Sequence, residues 1–318
     1  MSLGEFDIIA RYFTQADARS DVLLGIGDDA AVVAIPPDRR LVVAMDTIVE
    51  GVHFPAGTDA ADIGYRALAV NLSDIAAMGA QPSWMTLSLS LPHSAISWLE
   101  RFSAGLLDLA RHHGVSLIGG DTVKGPMVIT VQVAGLVETD RWLTRAGARA
   151  GDLLFISGTP GEAAAGLASI QQGVPQSAAS RHLQRRFLRP EPRVSLGREL
   201  RTLASAAMDV SDGLLTDLDK LCAASHCGAR VDIDKVPTSA AMQELFDAAT
   251  CADFALAGGD DYELLFTVSP DRAAAVPASA SCIGVITEGT TVSCLRDGQP
   301  VTVARRGYDH FSAKEAAP

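Results

Sequence analysis

A mixed α/β (α+β) fold in two domains is what this sequence predicts. Runs of aliphatic and β-branched residues such as MVITVQVAGLVE alternate with segments of helical period such as DAADIGYRALAVNLSDIAAMG, and both kinds occur in each half of the chain. The length of 318 residues suits two domains of ordinary size. Between residues 138 and 152 the texture changes to ETDRWLTRAGARAGD, polar, Arg-rich and punctuated by glycine. A boundary there gives domains of 1–138 and 139–318.

Taken in order, EFDIIARYF has helical spacing that puts Phe6, Ile9 and Phe13 on one face. RRLVVAMDT reads as a strand running into a loop at its aspartate, and residues 59–79 as a long helix with Ile63, Leu68, Leu72 and Ile75 on the buried stripe. Asp59 suits its N-cap. A second helix spans roughly 94–113, VSLIGGDT is a strand ending in glycines and an aspartate, and MVITVQVAGLVE is a long strand. After the boundary come a strand at LLFISG, a helix opening at TPGEAAAGL, and helices near 193–205 and 212–225. Gly228 is suited to the left-handed cap of the last of these. YELLFTV and CIGVIT are strands, and TVSCLRDGQPVTV is a hairpin turning at Asp297-Gly298.

Composition narrows the function. Apolar residues make up 48% and charged residues 20%, enough to build a core in a soluble chain. With 26 basic against 38 acidic residues the net charge is −12, which argues against a nucleic-acid surface or an anionic membrane. An acidic protein handling an anionic ligand needs metal ions as intermediaries. The five cysteines, from Cys222 to Cys294, form no C-x-x-C pair and no zinc spacing, as expected of free thiols in the cytoplasm. The start MSLGEFDIIARYF has no signal-peptide pattern, and no apolar run is long enough for a membrane span.

The informative feature is the placing of the aspartates. Asp28 and Asp29 lie in GIGDDAAVV, Asp46 in VVAMDT, Asp121 in LIGGDT, Asp209 and Asp212 in AAMDVSDG, and Asp260 and Asp261 in AGGDDYE. Each follows an apolar or glycine-rich run, where a strand is expected to leave the core and become a loop. Asp74 differs, lying inside a helix with Asn71 on the same face. Any one of these acids could simply cap a helix or close a turn, as Asp212 could in SDGLLTDL. As a set flanked by glycines they suit hard oxygen ligation of Mg²⁺ beside phosphate. GTPGEAAAG lacks the Lys-Ser/Thr of a P-loop, and the glycine spacing of GIGDDAAV fails the dinucleotide fingerprint. The stretch AGGDDYELLF looks like the signature turn of a diguanylate cyclase, but here it is one of several acidic motifs spread along the chain.

Together GEFDIIARYF, GIGDDAAVV, MDTIVEGVHF, ALAVNLSDIAAMGAQP, IGGDTVKGP, LTRAGARAGD, MDVSDGLLTDL, GGDDYELLFT and GYDHF resemble the bacterial thiamine-monophosphate kinase family, in order, from residue 4 to residue 311. The resemblance implies the two-domain fold of aminoimidazole ribonucleotide synthetase, with N-terminal sheets forming a dimer interface. It implies ATP as co-substrate, several Mg²⁺ ions and thiamine monophosphate as acceptor. Carried over by motif, the metal ligands are Asp29, Asp46, Asp74, Asp121, Asp209 and Asp212, with Asp28 behind them. Gly120, Asp121, Arg145 and Ser211 match ATP-contacting positions, and His53, Asp260 and Tyr308 match the thiamine-monophosphate side. Two features depart from the family pattern. Ala44 and Met45 stand where hydroxyl residues are common, and Asp260 stands where Glu is common. The rival readings are a sister enzyme such as aminoimidazole ribonucleotide synthetase, or a non-catalytic Mg-nucleotide binding protein. A selenophosphate synthetase would carry an N-terminal cysteine, whereas the first here is Cys222.

Overall fold

The computed structural model describes residues 4–14, 19–303 and 307. The chain forms two compact units, one of residues up to Leu143 together with Leu188–Thr202, the other of Thr144–Phe187 and the chain from Leu203 onward.

In the first unit a short helix α1 (Glu5–Ile8) continues into a π-helical turn over Ile9–Phe13. Then follow β1 (Val22–Leu24), β2 (Val32–Val33), β3 (Arg39–Val49), α2 (Ala60–Ala77), β4 (Gln81–Leu91), α3 (Ile96–His113), β5 (Ser116–Lys124) and β6 (Val128–Glu138). The main sheet has the order β3-β6-β4-β5, antiparallel except for β4 and β5, which are parallel and joined by the α3 crossover. Asp59 caps α2 by accepting from the Ala61 N–H at 2.8 Å. Ile63, Leu68, Leu72 and Ile75 are buried as their spacing predicts, yet fourteen of the eighteen α2 residues are buried, more than one stripe explains. The cause is that α2 packs on the sheet, on α3 and on the returning segment Leu188–Thr202.

Contact between α2 and α3 is backbone to backbone. A Cβ on Gly105 would lie 1.9 Å from the Ala61 carbonyl oxygen, and one on Gly64 would lie 2.1 Å from that of Phe102. The opposite face of the sheet carries Leu41, Val43 and Met45 of the edge strand β3, all exposed.

The chain then runs through β7 (Leu153–Ser157), α4 (Glu162–Gln171) and α5 (Ala178–Leu188), returns to the first unit as α6 (Val194–Leu200), and continues as β8 (Ala204–Val210) and α7 (Leu214–Ser225). β9 (Gly228–Asp232), α8 (Ala240–Leu245), α9 (Ala248–Ala257), β10 (Glu263–Val268), β11 (Ala280–Thr287), β12 (Val292–Arg296) and β13 (Gln299–Val301) complete the second unit. Its seven-stranded sheet has the order β13-β12-β9-β11-β7-β10-β8, with only β12 and β9 parallel. Leu214, Leu218 and Leu221 of α7 bury against Ile156, Met208 and Leu265 of the sheet.

The hairpin turns where expected, with positive φ at both Asp297 and Gly298. Three expectations differ. Helices α5, α8 and α9 are not among the expected elements. The left-handed residue closing α7 is His226, and Gly228 instead opens β9, where a Cβ would meet the Thr291 backbone. The strands bearing Asp46 and Asp121 do not end at their aspartates, since β3 and β5 run on for three more residues each.

Two expected outcomes follow from this packing. Gly105→Ala should cost at least about 2 kcal/mol in urea unfolding, because the obstructing atom is backbone and cannot swing away. Burial, with some repulsion from His112, holds the His113 imidazole at a pKa of about 4, below the ordinary 6.5. The unfolded chain takes up this proton near pH 6.5 while the fold refuses it until about 4, so stability is lost as pH falls through that window. Allowing for partial solvent screening, wild type should lose about 1–2 kcal/mol more than His113→Gln between pH 7.5 and 5, as read by urea titration.

Candidate active site

The first unit holds a cavity of about 720 Å³ lined by Gly27, Asp28, Asp29, Gly120 and Asp121, together with Thr86, Phe6, Ile9 and Phe13. The helical spacing of EFDIIARYF thus brings its apolar face to this cavity. The Asp28 carboxylate accepts from the Asp29 N–H at 2.9 Å, which fixes the turn between β1 and β2. Gly120 has φ +150°, and a Cβ there would lie 1.9 Å from the Leu87 carbonyl oxygen. Only glycine lets β5 lie against β4 at this point and present its edge to the cavity.

Asp46 lies on the other side of the sheet. Cross-strand partners run Asp46, Val131, Leu87 and Gly120, so these share one face and Asp121 points to the opposite one. Buried Asn71 joins Asp46 to α2. Its Oδ1 accepts from the Asp46 N–H at 2.9 Å, and its Nδ2 donates to the Ala67 carbonyl at 3.0 Å. Asp74, three residues further along α2, shares that helix face and is half-buried. His53 is half-buried in the loop after β3, where its Nδ1 accepts from the Val49 N–H at 3.0 Å and closes the turn. Met45 is exposed on the open sheet face, pointing away from Asp46.

In the second unit, Asp209 is buried near the end of β8, paired across to Leu264. The loop after it is stitched to the GGDDYE loop. The Ser211 carbonyl accepts from the Asp260 N–H at 2.8 Å, and the Val210 carbonyl accepts from the Tyr262 N–H at 2.8 Å. Asp260 and Tyr262 both have positive φ, and the Tyr262 hydroxyl donates to Asp260 Oδ1 at 3.1 Å. Asp212 does not cap α7. The N–H groups of Ser211 and Asp212 go instead to Asp217 Oδ2, at 3.0 and 2.9 Å. Burial raises the pKa of Asp217, against the opposing pull of Lys220 and the Asp212 N–H.

Behind the GGDDYE loop the acids are structural. Asp261 accepts from the Gly161 N–H at 2.6 Å and the Ala163 N–H at 3.3 Å, capping α4, and complete burial raises its pKa well above the carboxylate range. Fully buried Glu263 is held by Arg186 at 2.7 Å and by the Ser157 hydroxyl, and Arg186 also reaches Glu162 at 3.2 Å. Arg145 stands apart: its carbonyl accepts from Ser225 Oγ at 2.8 Å, at the opposite end of α7 from Asp212. Tyr308 lies outside the described residues.

Among the described residues, no group of three or more carboxylate, imidazole or thiol side chains stands ready to hold a metal. Asp28, Asp29, Gly120 and Asp121 do share a cavity, Asp46 is tied to the Asp74 face of α2 through Asn71, and Ser211, Asp212 and Asp260 adjoin one another. The sequence reading missed Asn71 as a partner of Asp46, and missed Asp217, Lys220 and Arg186. Asp217 was legible as a second acid within SDGLLTDL, and Asn71 as a neighbour of Asp74 on one helix face; Lys220 and Arg186 carry no local signal.

Residues 27–137 match the family described as AIR synthase related protein, N-terminal domain, and residues 149–293 match its C-terminal domain. The thiamine-monophosphate kinase of Escherichia coli (strain K12) is 46% identical over 98% of this chain and 99% of its own length. The chain belongs to the thiamine-monophosphate kinase family. The thiamine-monophosphate kinase of Bacillus subtilis (strain 168) is 35% identical over 97% of this chain and all of its own. The crystal structure of the thiamine-monophosphate kinase from Stenotrophomonas maltophilia superposes with a TM-score of 0.84 at 46% identity, covering 89% of this chain and 93% of that one. AaThiL complexed with AMPPCP and TMP superposes at 0.79 with 33% identity, covering 90% and 92%. Likeness to hydrogenase maturation protein HypE at 21% identity and a TM-score of 0.76 shows the shared fold alone.

Replacing Asn71 by Leu, which keeps the branched skeleton and loses the amide, leaves the Asp46 N–H without its acceptor. The expected loss is about 1–3 kcal/mol in chemical unfolding, with helix content by circular dichroism unchanged.

Proposed function

We propose that this chain transfers the γ-phosphoryl group of ATP to the phosphate of thiamine monophosphate, giving thiamine diphosphate and ADP. The observation that carries the reading is the full-length likeness to thiamine-monophosphate kinases, one of them solved with AMPPCP and TMP bound. A phosphate monoester has its second pKa near ~6, so the acceptor is already ionised at pH 7 and needs no general base. The obstacle is repulsion between two polyanions.

The donor set fits Mg²⁺. It consists of hard carboxylate oxygens, and Lys220 already sits on Asp212 where a cation would bind. The ligands proposed are Asp29, Asp46, Asp74, Asp121, Asp209 and Asp212. When bound, Mg²⁺ neutralises phosphate charge and aligns the reacting groups. The remaining work falls to the chain itself. Gly120 lets β5 lie against the Leu87 backbone of β4, and we assign it with Asp121, Arg145 and Ser211 to ATP. Asp217 fixes the Ser211–Asp212 backbone, while Asp261 and Glu263 anchor the loop carrying Asp260. His53, Asp260 and Tyr308 are assigned to thiamine monophosphate.

We also propose a homodimer working in the cytoplasm. The eleven-residue β3 is a sheet edge whose open face presents Leu41, Val43 and Met45, the kind of edge that a second copy covers.

The test is a product assay. Purified protein with ATP, Mg²⁺ and thiamine monophosphate should yield thiamine diphosphate on chromatography, and Asp74→Asn should reduce turnover by at least about 100-fold. ATP binding without product would refute the kinase reading.

A further inference from the structure

Lys220 joins two carboxylates of very different standing. Its ammonium donates to Asp217 Oδ1 at 2.8 Å and, more closely, to Asp212 Oδ2. Asp217 has no exposure to solvent, and all its bonds are internal: two backbone N–H groups on one oxygen and the ammonium on the other. Asp212 is about one-third exposed, and among the described residues Lys220 is its one side-chain partner. Burial works against the Lys220 charge, but the two carboxylates together outweigh it and raise its pKa.

Lys220 is also placed to move. It lies one turn after Asp217 on α7, so the two side chains meet on one helix face whatever Asp212 does. A lysine has a compact ammonium on a flexible stem and can release one carboxylate while keeping the other; an arginine fork would lock both. Asp212 therefore carries a removable cation, whereas Asp217 offers that cation a permanent partner.

Resting on the reading of Asp212 as a metal ligand, we propose that Lys220 is a resident counter-cation. It neutralises and orients the Asp212 carboxylate while no divalent ion is bound, and withdraws to Asp217 when one docks. Lys220 is thus a positioning residue, and it sets the affinity of the Asp212 site by competing with the metal.

The experiment titrates nucleotide-free full-length protein with Mn²⁺ and reads free Mn²⁺ by electron paramagnetic resonance. Four proteins are compared: wild type, Lys220→Met, Lys220→Gln and Asp212→Asn. Gln keeps a donor for Asp217 without the charge, so it serves if Met at this position impairs folding. Asp212→Asn should weaken or remove one class of sites. Removing the Lys220 charge should tighten that same class about three- to tenfold, the scale of one unit charge beside a partly exposed divalent ion. A merely structural role for Lys220 predicts the opposite sign, because a loosened loop binds more weakly. If Asp212→Asn weakens binding while both Lys220 variants match wild type or fall below it, the counter-cation is overturned and the ligand role of Asp212 stands. If Asp212→Asn leaves Mn²⁺ binding unchanged, the ligand role itself fails and the inference falls with it.

Discussion

Carboxylates brought close together repel one another, and a site built from them has to be held in shape by something other than their own attraction. In this protein that work falls to buried polar side chains that spend their acceptor atoms on backbone N–H groups. Asp217 takes two N–H groups from the loop carrying Ser211 and Asp212, Asp261 takes two from the start of α4, and Asn71 takes that of Asp46. Each of these groups is buried, so each bond sits in a low dielectric where an unmade partner would be costly. Asp28, Asp29 and Asp121, by contrast, are exposed and line one cavity.

Runs of neighbouring acids therefore divide their labour. In GGDDYE, Asp260 sits at positive φ beside Ser211, Asp261 caps a helix and Glu263 is locked under Arg186. In VSDGLLTDL, Asp212 is partly exposed and Asp217 fully buried. Burying an acid costs free energy that only a full set of partners offsets, which is why the interior acids are the fully bonded ones. Asp261 is buried with both oxygens spent on N–H groups of the α4 start, which leaves it a helix cap and no metal ligand.

Glycine plays the complementary role where space, and not charge, is limiting. Gly120 lets β5 approach β4, and Gly64 and Gly105 let α2 approach α3. Both contacts brace the sheet whose two faces carry Asp46 and Asp121. The same sheet leaves Leu41, Val43 and Met45 of its edge strand exposed.

The amino-acid sequence alone determined what depends on short-range geometry. The buried stripe of α2, the Asp59 cap, the Asp297-Gly298 turn and the order of the acidic motifs were all legible, because periodicity and turn chemistry act within a few residues. The family was legible too, since its motifs run the length of the chain. Tertiary structure decided the rest. Asp46 and Asp121 lie within strands and on opposite faces of one sheet, a consequence of register across four strands and not of either motif. The segment Leu188–Thr202 packs with residues far earlier in the chain, and Arg186 finds Glu263 across 77 positions. Such partners are chosen by which surfaces must leave water together, and that choice exists only once the whole chain has folded.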